Sequence, residues 1–129
     1  MKYLFLLILI PNLALASIES DINQYRKEQG LSELKIEKPL KQSAQYKVND
    51  MISHRYFAHT NPFGDGLSKL IVYRKWTIAG EVLSKNYTER EVVKKWVNSP
   101  THKAILTDDF SGVGCYNKDN LIACHFIKI

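Results

Sequence analysis

The chain has 129 residues, 45% of them hydrophobic, which is room for one core and argues against a multidomain protein. Its formal charge is +5, with 18 Lys and Arg scattered among 13 Asp and Glu. The absence of a dense basic stripe argues against nucleic-acid binding, while the excess permits loose attraction to anionic surfaces.

Met1 to Ala16 carries one lysine, an apolar run from Tyr3 to Ile10, a break at Pro11-Asn12 and then Ala14-Leu15-Ala16. This is the pattern of a secretory signal peptide cleaved after Ala16. The apolar run is short for a membrane anchor and is interrupted, and no later stretch is long enough to span a bilayer. The expected organisation is a signal peptide over 1–16 and a single domain over 17–129. The expected destination is the periplasm or the exterior. Cleavage also removes Lys2 and lowers the charge by one.

In chain order, Ser20 is expected to cap a first helix running to about Gln29, with Ile22 and Tyr25 on one face and Gly30 as the stop. Pro39 suits the first turn of a second helix. Leu40, Ala44, Val48 and Met51 then form one apolar stripe. Leu67, Leu70, Ile71 and Arg74 suggest a short third helix. Thr77 to Leu83 reads as a strand with Glu81 at or near its end. Thr88 to Glu91 has capping-box form and opens a fourth helix carrying Val92, Val93, Trp96 and Val97. Ser99-Pro100 ends that helix, and Pro100-Thr101 begins a short helical turn holding His102. Phe110 to Asn117 and Leu121 to Ile127 read as two strands around a turn of roughly four residues.

Cys115 and Cys124 lie on those last strands, where a hairpin places them opposite each other. An exported chain meets oxidising conditions, so a disulfide is expected rather than a pair of metal thiolates.

The chemistry-bearing residues lie in separated runs: Phe57-Ala58-His59-Thr60-Asn61-Pro62, Gly80-Glu81, and Trp96-Val97-Asn98-Ser99-Pro100-Thr101-His102. If they converge, they supply two imidazoles and a carboxylate, a set able to hold a divalent metal or to handle protons. Each also has a structural reading. His59 could bond the Asn61-Pro62 turn, and Glu81 could be a surface carboxylate. His102 lies near a helix start, where the dipole disfavours its charged form. His54 and His125 are expected in structural roles, and Trp76 and Trp96 as core aromatics.

In this order and spacing, these runs, with Asn23 to Leu31 and Gly112-Val113-Gly114, resemble the CAP superfamily, also called SCP-like domains, in its small bacterial form. The resemblance covers about Ile22 to Phe126. It implies an α+β fold, a three-layer α-β-α sandwich with a small antiparallel sheet, and a cleft lined by His59, Glu81 and His102. Animal members often carry a second glutamate in that cleft; the matching position here is Ser99, as is usual in bacterial members. Val82 also departs from the asparagine common after the Gly-Glu pair.

The reduced set of His59, Glu81 and His102 matches the ligands of some zinc sites, with Ser99 as a polar partner. There is no His-Glu-x-x-His helix and no nucleophile elbow, so binding ranks above catalysis. The leading expectation is an exported monomeric binding module whose cleft takes zinc and a small, lipidic or peptide ligand from the cell envelope. The alternatives are a metal-dependent hydrolase of peptide or envelope material, and an interaction protein with a vestigial cleft.

Overall fold

A computed structural model describes residues 16–71 and 76–129. Residues 1–15 of the expected signal peptide, and Arg74 of the expected third helix, lie outside the described residues. Among the described residues no helix is long and apolar enough to cross a membrane.

The described residues form four helices and four strands: α1 Ile18–Glu28, β1 Lys35–Ile36, α2 Lys38–His54, β2 Ile78–Lys85, α3 Glu89–Val97, α4 Pro100–Leu106, β3 Gly112–Lys118 and β4 Leu121–Lys128. The sheet order is β1-β3-β4-β2. The strands β2, β3 and β4 pair antiparallel, and β1 joins β3 in parallel. The sheet is therefore mixed rather than purely antiparallel. A two-residue strand carries no periodicity by which the sequence could reveal it.

Side-chain alternation along β2 and β4 divides the core into layers. Val82, Ile122, Cys124 and Phe126 face α1, α3 and α4, packing with Ile22, Val92, Trp96 and Leu106. Leu83, Leu121 and Ala123 face the other way, against Ala44, Val48 and Met51 of α2. The predicted stripe of α2 is fully buried, from Leu40 to Met51. This is the expected α-β-α sandwich.

Several local expectations change. The cap of α1 is Ser17, and Ser20 completes a capping box with it: each serine hydroxyl accepts from the other's backbone N–H. Gly30 does follow the helix end, with φ 74°. The third helix is a single 3-10 turn, Leu67–Lys69. Thr88 occupies the cap position of α3, but its side chain makes no capping bond. Glu81 lies in the middle of β2, not near its end. Trp96 is buried, whereas Trp76 is exposed.

The β3–β4 turn has two residues, not four: Asp119 and Asn120, with φ of 51° and 63°. This is the left-handed pair favoured in tight hairpins. The register still sets Cys115 opposite Cys124, and the two form a disulfide.

A close approach fixes α2 on the sheet. A Cβ at Gly114 would lie 2.2 Å from the Lys41 backbone nitrogen and 2.5 Å from the Leu40 carbonyl carbon. Only glycine lets the α2 backbone sit so near β3, and that proximity brings Ser43 and Lys47 to the site. Glu19 accepts from the Cys115 backbone N–H at 3.0 Å and from Lys41 Nζ at 2.7 Å, tying α1 to β3 and α2.

Candidate functional site

The site is organised around Glu81. Its cross-strand partner is His125, and both point toward α2. Gly80 before it has a packing reason: a Cβ there would lie 2.8 Å from the Phe110 ring.

Both carboxylate oxygens of Glu81 are engaged. Oε1 is 2.7 Å from His59 Nδ1, and Oε2 is 2.7 Å from His125 Nε2. A carboxylate only accepts, so both rings donate N–H. His125 is completely buried, and its Nδ1 lies 2.7 Å from Ser43 Oγ. Ser43 Oγ also donates to the Leu40 carbonyl at 3.0 Å, within its own helix. The result is a continuous chain Ser43–His125–Glu81–His59 on the α2 face of the sheet.

Buried Lys47 completes the support. Its Nζ donates to the His59 carbonyl at 3.0 Å and to Tyr56 Oη at 3.2 Å, and lies 4.8 Å from the Tyr56 ring centre. Tyr56 in turn donates to Asp50 at 2.5 Å. The chain leaves α2 through Arg55 in the left-handed region, φ 53°. His59 is thus held at its backbone by Lys47 and at its ring by Glu81, while 63% of its side chain stays exposed.

His102 sits in the first turn of α4, with Nδ1 2.8 Å from Ser99 Oγ. Ser99 occupies the cap position of α4 without making a capping bond, so its hydroxyl is available to the imidazole.

The electrostatics follow from burial and partners. Burial raises the Glu81 carboxyl pKa, but the bond and charge of His125, the bond from His59 and the charge of Lys47 outweigh it, leaving the group below its ordinary value. Burial lowers the Lys47 ammonium, against the opposing pull of Glu81 and Asp50. Burial, then the charge of His59, lowers the His102 imidazole and favours its neutral form. Burial followed by the Asp50 bond raises the Tyr56 phenol.

His59, Ser99 and His102 line one cleft of about 440 Å³, with Trp96 and Leu83 on its floor. The Trp96 indole donates to the Leu83 carbonyl at 3.0 Å and fixes that floor. Glu81 does not line the cleft; it stands behind His59. Among the described residues no group of three or more His, Cys, Asp or Glu side chains is arranged to hold a metal ion. His54 ends α2, exposed, near Asp50.

Sequence reasoning gave His125 only a structural role and did not single out Ser43 or Lys47. The available signal was a titratable residue at each of positions 81 and 125, inside strands that are otherwise mostly apolar. Pairing them needed the β2–β4 register, which lies across more than thirty intervening residues and is not written in either strand alone.

The sandwich and its histidine cleft define a CAP/SCP-type domain. Residues 20–120 match the family "CAP: Cysteine-rich secretory protein family", and the chain belongs to it. It is 38% identical over 96 residues to "Uncharacterized protein YkwD" of Bacillus subtilis (strain 168), a match covering 71% of this chain and 37% of that protein. The chain therefore spans well under half the length of that relative. Its fold is similar to that of an outer surface protein from Borrelia burgdorferi, with TM-score 0.79, 28% identity, and 86% and 89% of the two chains covered. It also shares its fold with an extracellular protein containing a SCP domain from Bacillus anthracis str. Ames, with TM-score 0.79, 24% identity, and 87% and 39% covered.

Proposed function

We propose that the chain is an exported, non-enzymatic binding module whose cleft takes a divalent cation, zinc, on His59 and His102. The observation that carries this reading is the 2.7 Å bond from His59 Nδ1 to Glu81. It fixes the ring tautomer and leaves Nε2 as the nitrogen for a ligand. A carboxylate behind a histidine is the usual outer support of a metal-binding imidazole. Because both its oxygens are committed, Glu81 fits that orienting role better than a place beside the ion.

The donor set fits zinc as two neutral imidazoles, with the remaining positions left to solvent or to a ligand. His102 is disposed to be neutral by burial and by the neighbouring His59. Export is supported by the signal-like N-terminus, the disulfide and the outer-surface and extracellular origins of the structural relatives.

The test is a zinc titration of residues 17–129 by calorimetry, beside His59→Ala and His102→Ala. One-to-one binding lost in both variants supports the reading, as does loss of affinity below about pH 6, where imidazoles protonate. Undiminished binding in either variant overturns it.

A further inference from the structure

The histidines occupy only one part of the cleft. Another part is lined by Phe57, Lys85, Tyr87 and Lys95, and no Asp or Glu side chain lines the cleft among the described residues. Among those residues neither lysine has a carboxylate partner, as is also true of Lys27, Lys38, Lys94, Lys103 and Lys118; what sets these two apart is that both line the cleft. Lys95 Nζ instead lies 5.0 Å from the centre of the Tyr87 ring, a cation–π contact that holds both at the wall.

The backbone is bent to present them. Asn86, with φ 67°, turns the chain out of β2, and its N–H donates to the Asn120 carbonyl at 2.8 Å, anchoring the bend to the β3–β4 turn. Lys85 and Tyr87 flank it. Phe57 and Tyr87 keep 44% and 37% of their surface exposed. Phe57 and Lys85 also border an adjoining cavity of about 310 Å³ that holds Arg55 and Asp119, so the wider patch has three cations against one acid.

Two ammoniums without carboxylate partners, beside two partly exposed aromatic rings, select a ligand that is charged at one edge and apolar on one flat face. A sugar ring bearing an acid has that form. An acyl chain would want an enclosed apolar channel, whereas this cleft is open and alternates rings with cations. We propose that this part of the cleft is an anion subsite for an acidic sugar: Lys85 and Lys95 meet its carboxylate or phosphate, and Tyr87 and Phe57 cover its ring. The inference rests on the cleft being a ligand site, but it does not require the cation.

The test is an amide NMR titration of residues 17–129 with three probes: a glucuronic-acid tetrasaccharide, the same saccharide with its carboxyls reduced to alcohols, and glucose 6-phosphate. The expected result is that an acidic probe shifts Lys85, Tyr87 and Lys95. Its affinity falls as salt rises from about 20 to about 200 mM. Lys85→Gln and Lys95→Gln each weaken it about two- to fivefold, as exposed charge contacts do. The tighter acidic probe identifies the acid as carboxylate or phosphate.

Both lysines are exposed, so the variants are expected to keep the fold. Zinc titration of the Lys85→Gln/Lys95→Gln double variant separates the two readings, because it should match the parent protein whatever the saccharides do. Equal binding of the neutral saccharide, no shift with either acid, or unchanged affinity in the double variant overturns the subsite.

Discussion

Replacing Glu81 by Gln keeps the side-chain volume and removes the charge on which the site depends. Two ring N–H groups now donate to the carboxylate at 2.7 Å each. An amide offers one oxygen and one NH2, so one ring N–H must face a donor or turn away. The two arms differ in what that costs. His59 is 63% exposed and can turn to water. His125 is completely buried and has no such route.

The amide oxygen is therefore expected to stay with His125, losing charge assistance worth about 1–2 kcal/mol. Buried Lys47 also loses a nearby anion, which brings the total to about 2–3 kcal/mol. His59→Ala removes only the exposed arm and should cost no more than about 1 kcal/mol. The assay is urea unfolding followed by tryptophan fluorescence, with the m value unchanged. In thermal unfolding the Glu81→Gln loss corresponds to about 8–12 °C. A Glu81→Gln protein within about 0.5 kcal/mol of the parent, or a His59→Ala protein as damaged as Glu81→Gln, would refute the role of Glu81 as the buried hub.

The remaining predictions test the frame and the charges. Converting both Cys115 and Cys124 to Ala opens a short loop and should cost about 2–3 kcal/mol by loop entropy, measured by the same urea transition. Gly114→Ala should destabilise the chain severely, because its Cβ has no space beside the Lys41 nitrogen; a soluble variant with a parental melting temperature would contradict that contact. Stability should fall with acid in two windows. The folded His102 pKa is depressed, so the unfolded state takes up its proton first. That contribution, present above about pH 6.5, is lost as pH falls through the folded pKa. The depressed Glu81 carboxyl adds a second loss below about pH 4.3. His102→Gln should flatten the first window and leave the second.

What the sequence disclosed depended on distance along the chain. The stripe Leu40, Ala44, Val48 and Met51 repeats within one helix, so its burial could be read directly. The Cys115–Cys124 pairing is found as expected, but through a turn centred one residue further along the chain: a loop over 117–120 would set Cys115 opposite Ile122, whereas the two-residue turn Asp119-Asn120 sets it opposite Cys124. The resemblance to the CAP superfamily supplied the sandwich and pointed to His59 and His102, which do line one cleft. The connection of Glu81 to His125 was not legible: it depends on the register of β2 against β4 and on the close approach of α2 that Gly114 allows. The resemblance also implied Glu81 as a member of the cleft, whereas its mid-strand position on the α2 side puts it behind His59. Lys47 was hidden for a related reason: in a helix otherwise read for its apolar stripe, a lysine is expected in water, and its burial makes sense only with the His59 carbonyl, Tyr56 and the nearby carboxylates in place.

The function of the cleft turns on the state of the His59 ring. Long-range 1H–15N NMR of the imidazoles reads the tautomer directly. The neutral His59 ring is expected to carry its proton on Nδ1, and adding zinc is expected to shift Nε2 of both His59 and His102 while Nδ1 of His59 stays protonated. A His59 proton on Nε2, or zinc shifts confined to other residues, would contradict the proposed site.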